Sequence, residues 1–317
     1  MTGSDQNQPQ SAAEYYWTVL PKYIAAVEHA IAISHKTAGH PADSSRQYWA
    51  SVLFTRLCSA AISILHICPG SPANTAGTHW DFSSLAPLVR SLVQTGLMLF
   101  YLGTEVVGED ESRARVLVMQ LRDCNERLHL FENFDASGEK TRAFEVAAGP
   151  IRAELSSNAY FARLPAKLRK VLRRGDRASI LTEDQILDRL GILDQTGRAL
   201  YRFISSHADV SPLAYYRTGE NNRGRGEETM WMSTIWLLQS TSLATSYSGL
   251  IPTCRICFGR LWPLALQRRK LLHVTSAFSM LLTTCSRGKE AIFKRSPRAI
   301  IRRHFFVLVA FTTKACV

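Results

Sequence analysis

No GxxxxGK[ST] loop, GxGxxG, HExxH or GxSxG occurs in the chain. The common phosphate-loop, dinucleotide, zinc-protease and serine-hydrolase chemistries therefore have no foothold. No period-two alternation bounded by hairpin signals is found and no repeat recurs at a fixed interval, which argues against a β-sandwich, a barrel or a solenoid. The seven cysteines are too few and too scattered for a disulfide framework. Their odd number leaves one unpaired, so a reducing compartment, the cytoplasm, is expected. A lone CxxC, Cys254 to Cys257, is followed only by His273 and Cys285, spacings unlike those of a zinc site. No metal and no cofactor is expected. The first ten residues, MTGSDQNQPQ, have neither a basic n-region nor an apolar h-region. Residues 1–13 read as a disordered tail and not as a signal peptide.

Acidic residues almost disappear at one end. Residues 1–250 carry 25 Lys and Arg against 25 Asp and Glu, whereas residues 251–317 carry 13 against Glu290 alone. The net charge of +12 is thus a property of the C-terminal segment, and a general nucleic-acid footprint does not extend to the body. Two readings of 251–317 compete. One is a basic arm for nucleic acid or membrane. The other is a shifted reading frame from about Ile251 onward, whose composition was never selected for folding. The composition favours the second, which predicts a poorly packed segment.

What the chain does hold, at 46% apolar residues, is helical periodicity. Leu85–Leu102 is the most strongly patterned stretch, with Leu85, Leu88, Val89, Leu92, Val93, Leu97 and Phe100 at three- and four-residue steps. Asp81, Ser83 and Ser84 offer N-cap oxygens, and Pro87 is expected in the first turn. Residues 14–35 place Tyr16, Val19, Leu20, Tyr23, Ile24, Val27 and Ile31 on one face, with Pro21 near the first turn or at a kink. Tyr15, Tyr16, Trp17 and Tyr23 could form a base-stacking platform, but aromatics at helical spacing read first as core. A helix from Asp43 or Ser44 to about Ile67 carries Tyr48, Val52, Leu53, Leu57, Ala60, Ala61, Ile64 and Leu65 on its apolar side.

Glu111–Phe134 reads as a charged helix with a narrow stripe of Leu117, Leu121, Cys124, Leu128 and Phe131, packed antiparallel on a neighbour. Arg122 with Glu126 and Asp123 with Arg127 form i,i+4 pairs on its wet side. Thr141–Ser157 reads as a further helix. RLPAKLRKVLRRGDR, residues 163–177, is basic and amphipathic, with Leu164, Leu168, Val171 and Leu172 on its apolar side. Such a face could meet phosphate or an anionic lipid surface, but the flanking Glu154, Asp176, Glu183 and Asp184 favour an ordinary solvated one. Thr182 and Gln185 match a capping box before a short helix closed by Gly191. Another helix runs from Asp194 to His207. After the polar loop 219–228, Met230–Leu250 reads as a buried helix. It is uncharged, but its Ser, Thr and Gln content argues against a membrane span. The fold expected is all-α: a single bundle of about seven helices over 14–250, followed by an irregular basic segment.

One pairing could carry chemistry. Arg202-Phe-Ile-Ser-Ser-His207 is similar to the R-x4-H pattern of the HEPN superfamily of helical ribonucleases, the "higher eukaryotes and prokaryotes nucleotide-binding" domains. The resemblance implies a metal-independent ribonuclease with Arg202 orienting phosphate and His207 as acid or base, across a dimer interface. The residue types suit that chemistry. Chance supplies roughly two or three such spacings in a chain of this composition, and four are present, ending at His129, His207, His273 and His304. Arg202 and His207, five apart, converge only if the helix ends or unwinds between them. Arg122 and His129, seven apart, share a face directly and are the second candidate pair.

LVRSLVQTGLMLFYLG, VMQLRDCNERLHLFE and ALYRFISSHADVSPLAYYR resemble a family of uncharacterised bacterial all-helical domains of unknown function, over about residues 45–250. That family has an arginine in the central helix, here Arg90, followed by an acid where this chain has Gln94. It also has a Tyr-x-x-hydrophobic-Ser…His segment, here Tyr201, Ser205 and His207, and a second histidine where Asp209 stands. The resemblance implies a helical fold and no particular activity. The reading that follows is a cytoplasmic helical bundle that binds a protein partner or itself without catalysis. RNA as a partner, and the ribonuclease, form the alternative; membrane association and a small-molecule cofactor are not expected.

Overall fold

The computed structural model describes residues 12–75, 81–132, 134, 138–191, 195–209, 211–212 and 214–216. The expectations for residues 1–11, for Asp194, for the helix over 230–250, for the CxxC and for the segment 251–317 lie outside the described residues. Among the described residues the chain is all-α, with no strand. Helices α1 (Ala12–Thr37), α2 (Ser45–Ile67) and α3 (Phe82–Leu99) are followed by one π-helical turn, Phe100–Thr104. Then come α4 (Glu109–Phe131), α5 (Glu139–Ser157), α6 (Ala159–Ala162), α7 (Ala166–Arg173), α8 (Glu183–Leu190) and α9 (Gln195–Ala208). The described chain divides into two compact units. The first takes residues from α1, from α2 after Ala50, from α3 up to Gly96 and from α9; the second comprises 42–50 and 97–192.

In the first unit the core is drawn from one side of each helix. Tyr16, Val19, Leu20, Tyr23, Val27 and Ile31 are buried along α1, following the three- and four-residue steps of the sequence. The hydroxyls of Tyr16 and Tyr23 donate to the carbonyls of Pro69 (2.6 Å) and Ala61 (3.1 Å), so each buried phenol has its hydrogen bond. Both are core residues and not a stacking surface. Trp17 is half exposed, its ring laid against Gly70, where a Cβ would sit 2.4 Å from the indole. Pro21 lies well inside α1, beyond the first turn that was one of the two places expected for it.

α2 departs further from its sequence reading. Its buried residues are Ala50, Phe54, Cys58, Ala61, Ile62, Ile64 and Leu65; Ala61, Ile64 and Leu65 are inside as expected, while Tyr48 and Val52, also expected inside, are exposed. The apolar residues of this helix nearly encircle it, so periodicity alone finds the buried face toward its C-terminal end and misplaces it toward the N-terminal end. α3 is a core helix with Leu85, Ala86, Val89, Leu92 and Val93 buried. It begins at Phe82 with Asp81 as its cap, the Oδ1 accepting from Ser84 N at 3.0 Å. Pro87 therefore falls past the first turn, on an exposed position where one missing N–H is tolerated. By length and composition only, α2 and the α3–π segment could each cross a membrane; in the latter, 61% of the most apolar window is buried inside the protein.

The second unit is built on α4 and α5. Arg113 near the start of α4 meets Glu154 near the end of α5 (2.7 Å), and Phe131 at the end of α4 stacks on Phe144 near the start of α5 (5.8 Å between ring centres). These contacts make the pair antiparallel. Leu117, Leu121 and Cys124 are buried as the stripe predicts, in one cluster with Val118, Ala148, Leu155, Phe161, Leu172 and Ile180. The basic stretch 163–177 forms one short helix, α7, preceded by Pro165; just ahead of the stretch, Asn158 caps α6 by accepting from Phe161 N. The capping box of Thr182 and Gln185 and the left-handed Gly191 (φ 66°) bound α8 as expected.

Gly175 sits where only glycine fits. Its φ is +75°, and a Cβ there would lie 2.9 Å from the Leu121 carbonyl oxygen of α4. Gly191 has a similar φ but open space around it. In urea unfolding, Gly175→Ala is expected to cost about 3 kcal/mol, from strain plus overpacking, against about 1 kcal/mol for Gly191→Ala, which carries the dihedral strain alone.

Candidate functional site

In the first unit the residues singled out by sequence gather where α3 meets α9. α9 is a continuous helix through both Arg202 and His207, with Tyr201 and Ile204 buried on its inner side. His207 is 8% exposed, its ring set edge-on to Phe82 (4.9 Å between ring centres) and against Phe203 (4.3 Å). Nδ1 stands 2.9 Å from the Phe203 carbonyl oxygen. A carbonyl only accepts, so Nδ1 carries the proton and donates. Nε2 is then the lone-pair nitrogen; it is buried and has no partner among the described residues, as is the hydroxyl of Ser211. Arg202 is exposed, and no hydrogen bond joins it to His207. Five residues on an unbroken helix put the two side chains about 140° apart.

Arg90 of α3 pairs with Asp209, just past the end of α9. Arg90 and Asp209 are therefore partners, 119 residues apart in sequence. The guanidinium offsets both the carboxylate and the partial negative charge of the helix C-terminus. Side-chain exposures of 28% and 61% keep the pair's worth below about 1 kcal/mol.

The second candidate pair is in the second unit. Arg122 and His129 lie along α4, but the arginine is engaged by Glu126 (2.7 Å) and by the carbonyls of Gly175 and Asp176. His129 is exposed, with Nδ1 3.4 Å from Glu132. The Asp123–Arg127 pair also forms, at 2.9 Å. These side chains brace α4 and the turn after α7.

One charged cluster escaped the sequence reading. Arg115 is 1% exposed, with its guanidinium 4.3 Å over the Tyr101 ring. It donates to the Tyr101 carbonyl (2.6 Å), to Glu105 (2.6 Å) and to Glu111 (2.5 Å). Arg189 of α8 completes the cluster on Glu105 (2.9 Å) and Glu111 (3.4 Å). The Tyr101 hydroxyl accepts from Ile180 N at 3.0 Å, and burial pushes its pKa up. Two guanidiniums face two carboxylates, so the cluster has no net charge to offer a ligand. The only sequence signal was the i,i+4 spacing of Glu111 and Arg115, which looks the same on a wet surface as in a core.

Cys58, Cys68 and Cys124 are all buried. Burial pushes the Cys68 thiol up to about 12, only partly offset by its contact with the Tyr16 hydroxyl, which keeps it in the thiol form at neutral pH. Among the described residues no group of three His, Cys, Asp or Glu side chains could hold a metal ion. Comparison of the chain with family models, curated proteins and solved structures finds no match.

The buried cluster makes a definite prediction. Arg115→Met leaves Glu105 and Glu111 short of a partner in a dry setting and is expected to cost about 3–5 kcal/mol in urea unfolding. Arg113→Met, which breaks only the exposed pair with Glu154, should cost under about 1 kcal/mol.

Proposed function

We propose that this chain is a non-catalytic helical module that binds protein, either a second copy of itself or a partner. The observation that carries this reading is the arrangement on α9. A ribonuclease of the R-x4-H type needs an arginine and a histidine converging on one phosphate, with the histidine open to the proton it moves. Here the histidine is packed between two phenylalanines and the arginine points to another side of the same helix. The remaining candidates, Arg90 and Arg122, spend their guanidiniums on contacts that hold segments together.

Large apolar side chains, by contrast, are left facing solvent. Leu130 near the end of α4 and Phe134 just beyond it are 54% and 78% exposed. Tyr215 and Tyr216 are similarly open beyond α9. Large apolar side chains left open to water and close together in the chain are candidates for an association surface.

Two measurements on the full chain test the proposal. In light scattering after gel filtration, molar mass is expected to rise with concentration, and Leu130→Ser/Phe134→Ser is expected to lower it to the monomer. A monomer at every concentration rejects self-association through this surface and leaves only a heterologous partner. His207→Ala should lower stability by about 1–3 kcal/mol through lost packing, with RNA left intact by both forms. Metal-free RNA cleavage that disappears in His207→Ala at an unchanged thermal midpoint would overturn the proposal in favour of the ribonuclease.

A further inference from the structure

In the second unit charge is segregated. Residues 42–50 and 97–192 hold sixteen Lys and Arg against sixteen Asp and Glu, yet seven of those cations fall within residues 163–177, with Asp176 as the one acid. The fold holds this stretch firmly. Leu172 is fully buried, Leu164 and Leu168 pack on the α4–α5 cluster, and Gly175 seats the end of α7 on the backbone of α4. At 100° per residue, Lys167, Lys170, Arg173 and Arg174 occupy the half of the helix opposite those leucines, and all four are exposed.

Little within the described residues neutralises them. Of the acids flanking the stretch, Glu154 is taken by both arms of Arg113, and Asp176 compensates Arg174 alone (2.7 Å). Arg173 donates to an uncharged partner, the Ser156 hydroxyl at 2.9 Å. Lys167 and Lys170 meet no acid among the described residues, and the half-buried Arg169 keeps an Nε–H without an acceptor there.

We propose that the outward face of α7 is a docking surface for the phosphate backbone of nucleic acid, bound without regard to sequence. Three partners could match a positive face, and the packing distinguishes them. An amphipathic helix binds a lipid surface by burying its apolar side in the acyl boundary; on α7 that side is spent on the protein core. A protein partner needs an apolar or aromatic anchor at the centre of the contact, where charged residues are depleted, and this face has none. Nucleic-acid interfaces are polar and strongly positive, and forked guanidiniums and ammonium groups suit phosphate oxygens. α7, with eight residues, is about 12 Å long, the axial length of roughly three or four phosphates on one strand.

The test is fluorescence anisotropy with the full chain, using a labelled poly(U) oligonucleotide and a random-sequence DNA duplex over a salt series. Lys167→Glu/Lys170→Glu is expected to weaken binding to both at least about tenfold and to lower the slope of log affinity against log salt by about 2. Both side chains are exposed, so the thermal midpoint should hold. Lys22→Glu/Lys36→Glu makes the same charge change on α1, in the other unit, and should leave binding near wild type. Unchanged affinity in the α7 variant overturns the proposal, because binding then belongs elsewhere in the chain. An equal loss in both variants overturns it as a net-charge effect. Binding to phosphatidylserine vesicles but to neither nucleic acid assigns the face to a membrane and overturns it too.

Discussion

Burial of the Arg115 guanidinium constrains the second unit more than any other contact. A charge withdrawn from water is tolerable only when every face of it is engaged, and here the surroundings do that with unlike parts: a ring, a main-chain carbonyl and two carboxylates. The ring and the carbonyl come from Tyr101 and the carboxylates from Glu105 and Glu111, so satisfying one arginine fixes the π turn after α3, the connection to α4 and the first turns of α4 itself. Arg189 extends the same requirement to α8. The π turn is held from its other side by Arg46, which donates to the carbonyls of Gly103 and Glu105 at 2.7 Å each. Gly103 lies so close to Ala50 that an added Cβ would be 2.7 Å from that residue's own Cβ. The wide turn therefore sits where a helix must pass close to a neighbour and end, with its last carbonyls captured by a cation.

Which parts of this were legible in the sequence follows from how far each interaction reaches. The capping box at Thr182, the close at Gly191, the Asp81 cap and the i,i+4 pairs of α4 involve residues three to five apart, and each is found as read. The stripe of α4 was legible at Leu117, Leu121 and Cys124, although Ala114 and Val118 beside it are buried too. The face of α2 was legible only at Ala61, Ile64 and Leu65, since apolar residues lie almost all round the helix and several faces satisfy the same period. Arg90 with Asp209, and Arg115 with Glu105, were invisible for another reason: nothing local to either residue says where its partner is, and burial of a guanidinium leaves no mark on composition. Function was less legible still. An R-x4-H spacing is a local pattern, whereas convergence of the two side chains depends on whether the helix breaks between them.

The basic stretch shows how packing turns one sequence pattern into a specific surface. Read alone, residues 163–177 suit a lipid interface as well as a phosphate, because the leucines could face either way. Once Leu164, Leu168 and Leu172 are committed to the α4–α5 core, only the cations remain to meet a partner. Of the acids that looked able to neutralise them, Glu154 belongs to Arg113 of α4 and Asp176 compensates Arg174 alone. Surface charge density is therefore decided by the core and by the pairing of neighbours, and cannot be counted from the chain.

His207 calls for the opposite argument. A buried imidazole with one nitrogen unsatisfied is a cost of about 1–3 kcal/mol, and such costs often mark active sites. Here the offsetting terms lie within the same helix interface. Nδ1 satisfies a carbonyl one turn back, and the ring fills the space between Phe82 and Phe203, aromatic contacts each worth about 0.5–1.5 kcal/mol beyond their burial. The penalty and the gain are of similar size, so the residue can be kept for packing alone. A catalytic histidine would have to surrender those ring contacts to reach a substrate, and α9 would lose its hold on the first turn of α3. The geometry that makes His207 conspicuous is thus the same geometry that holds it in place.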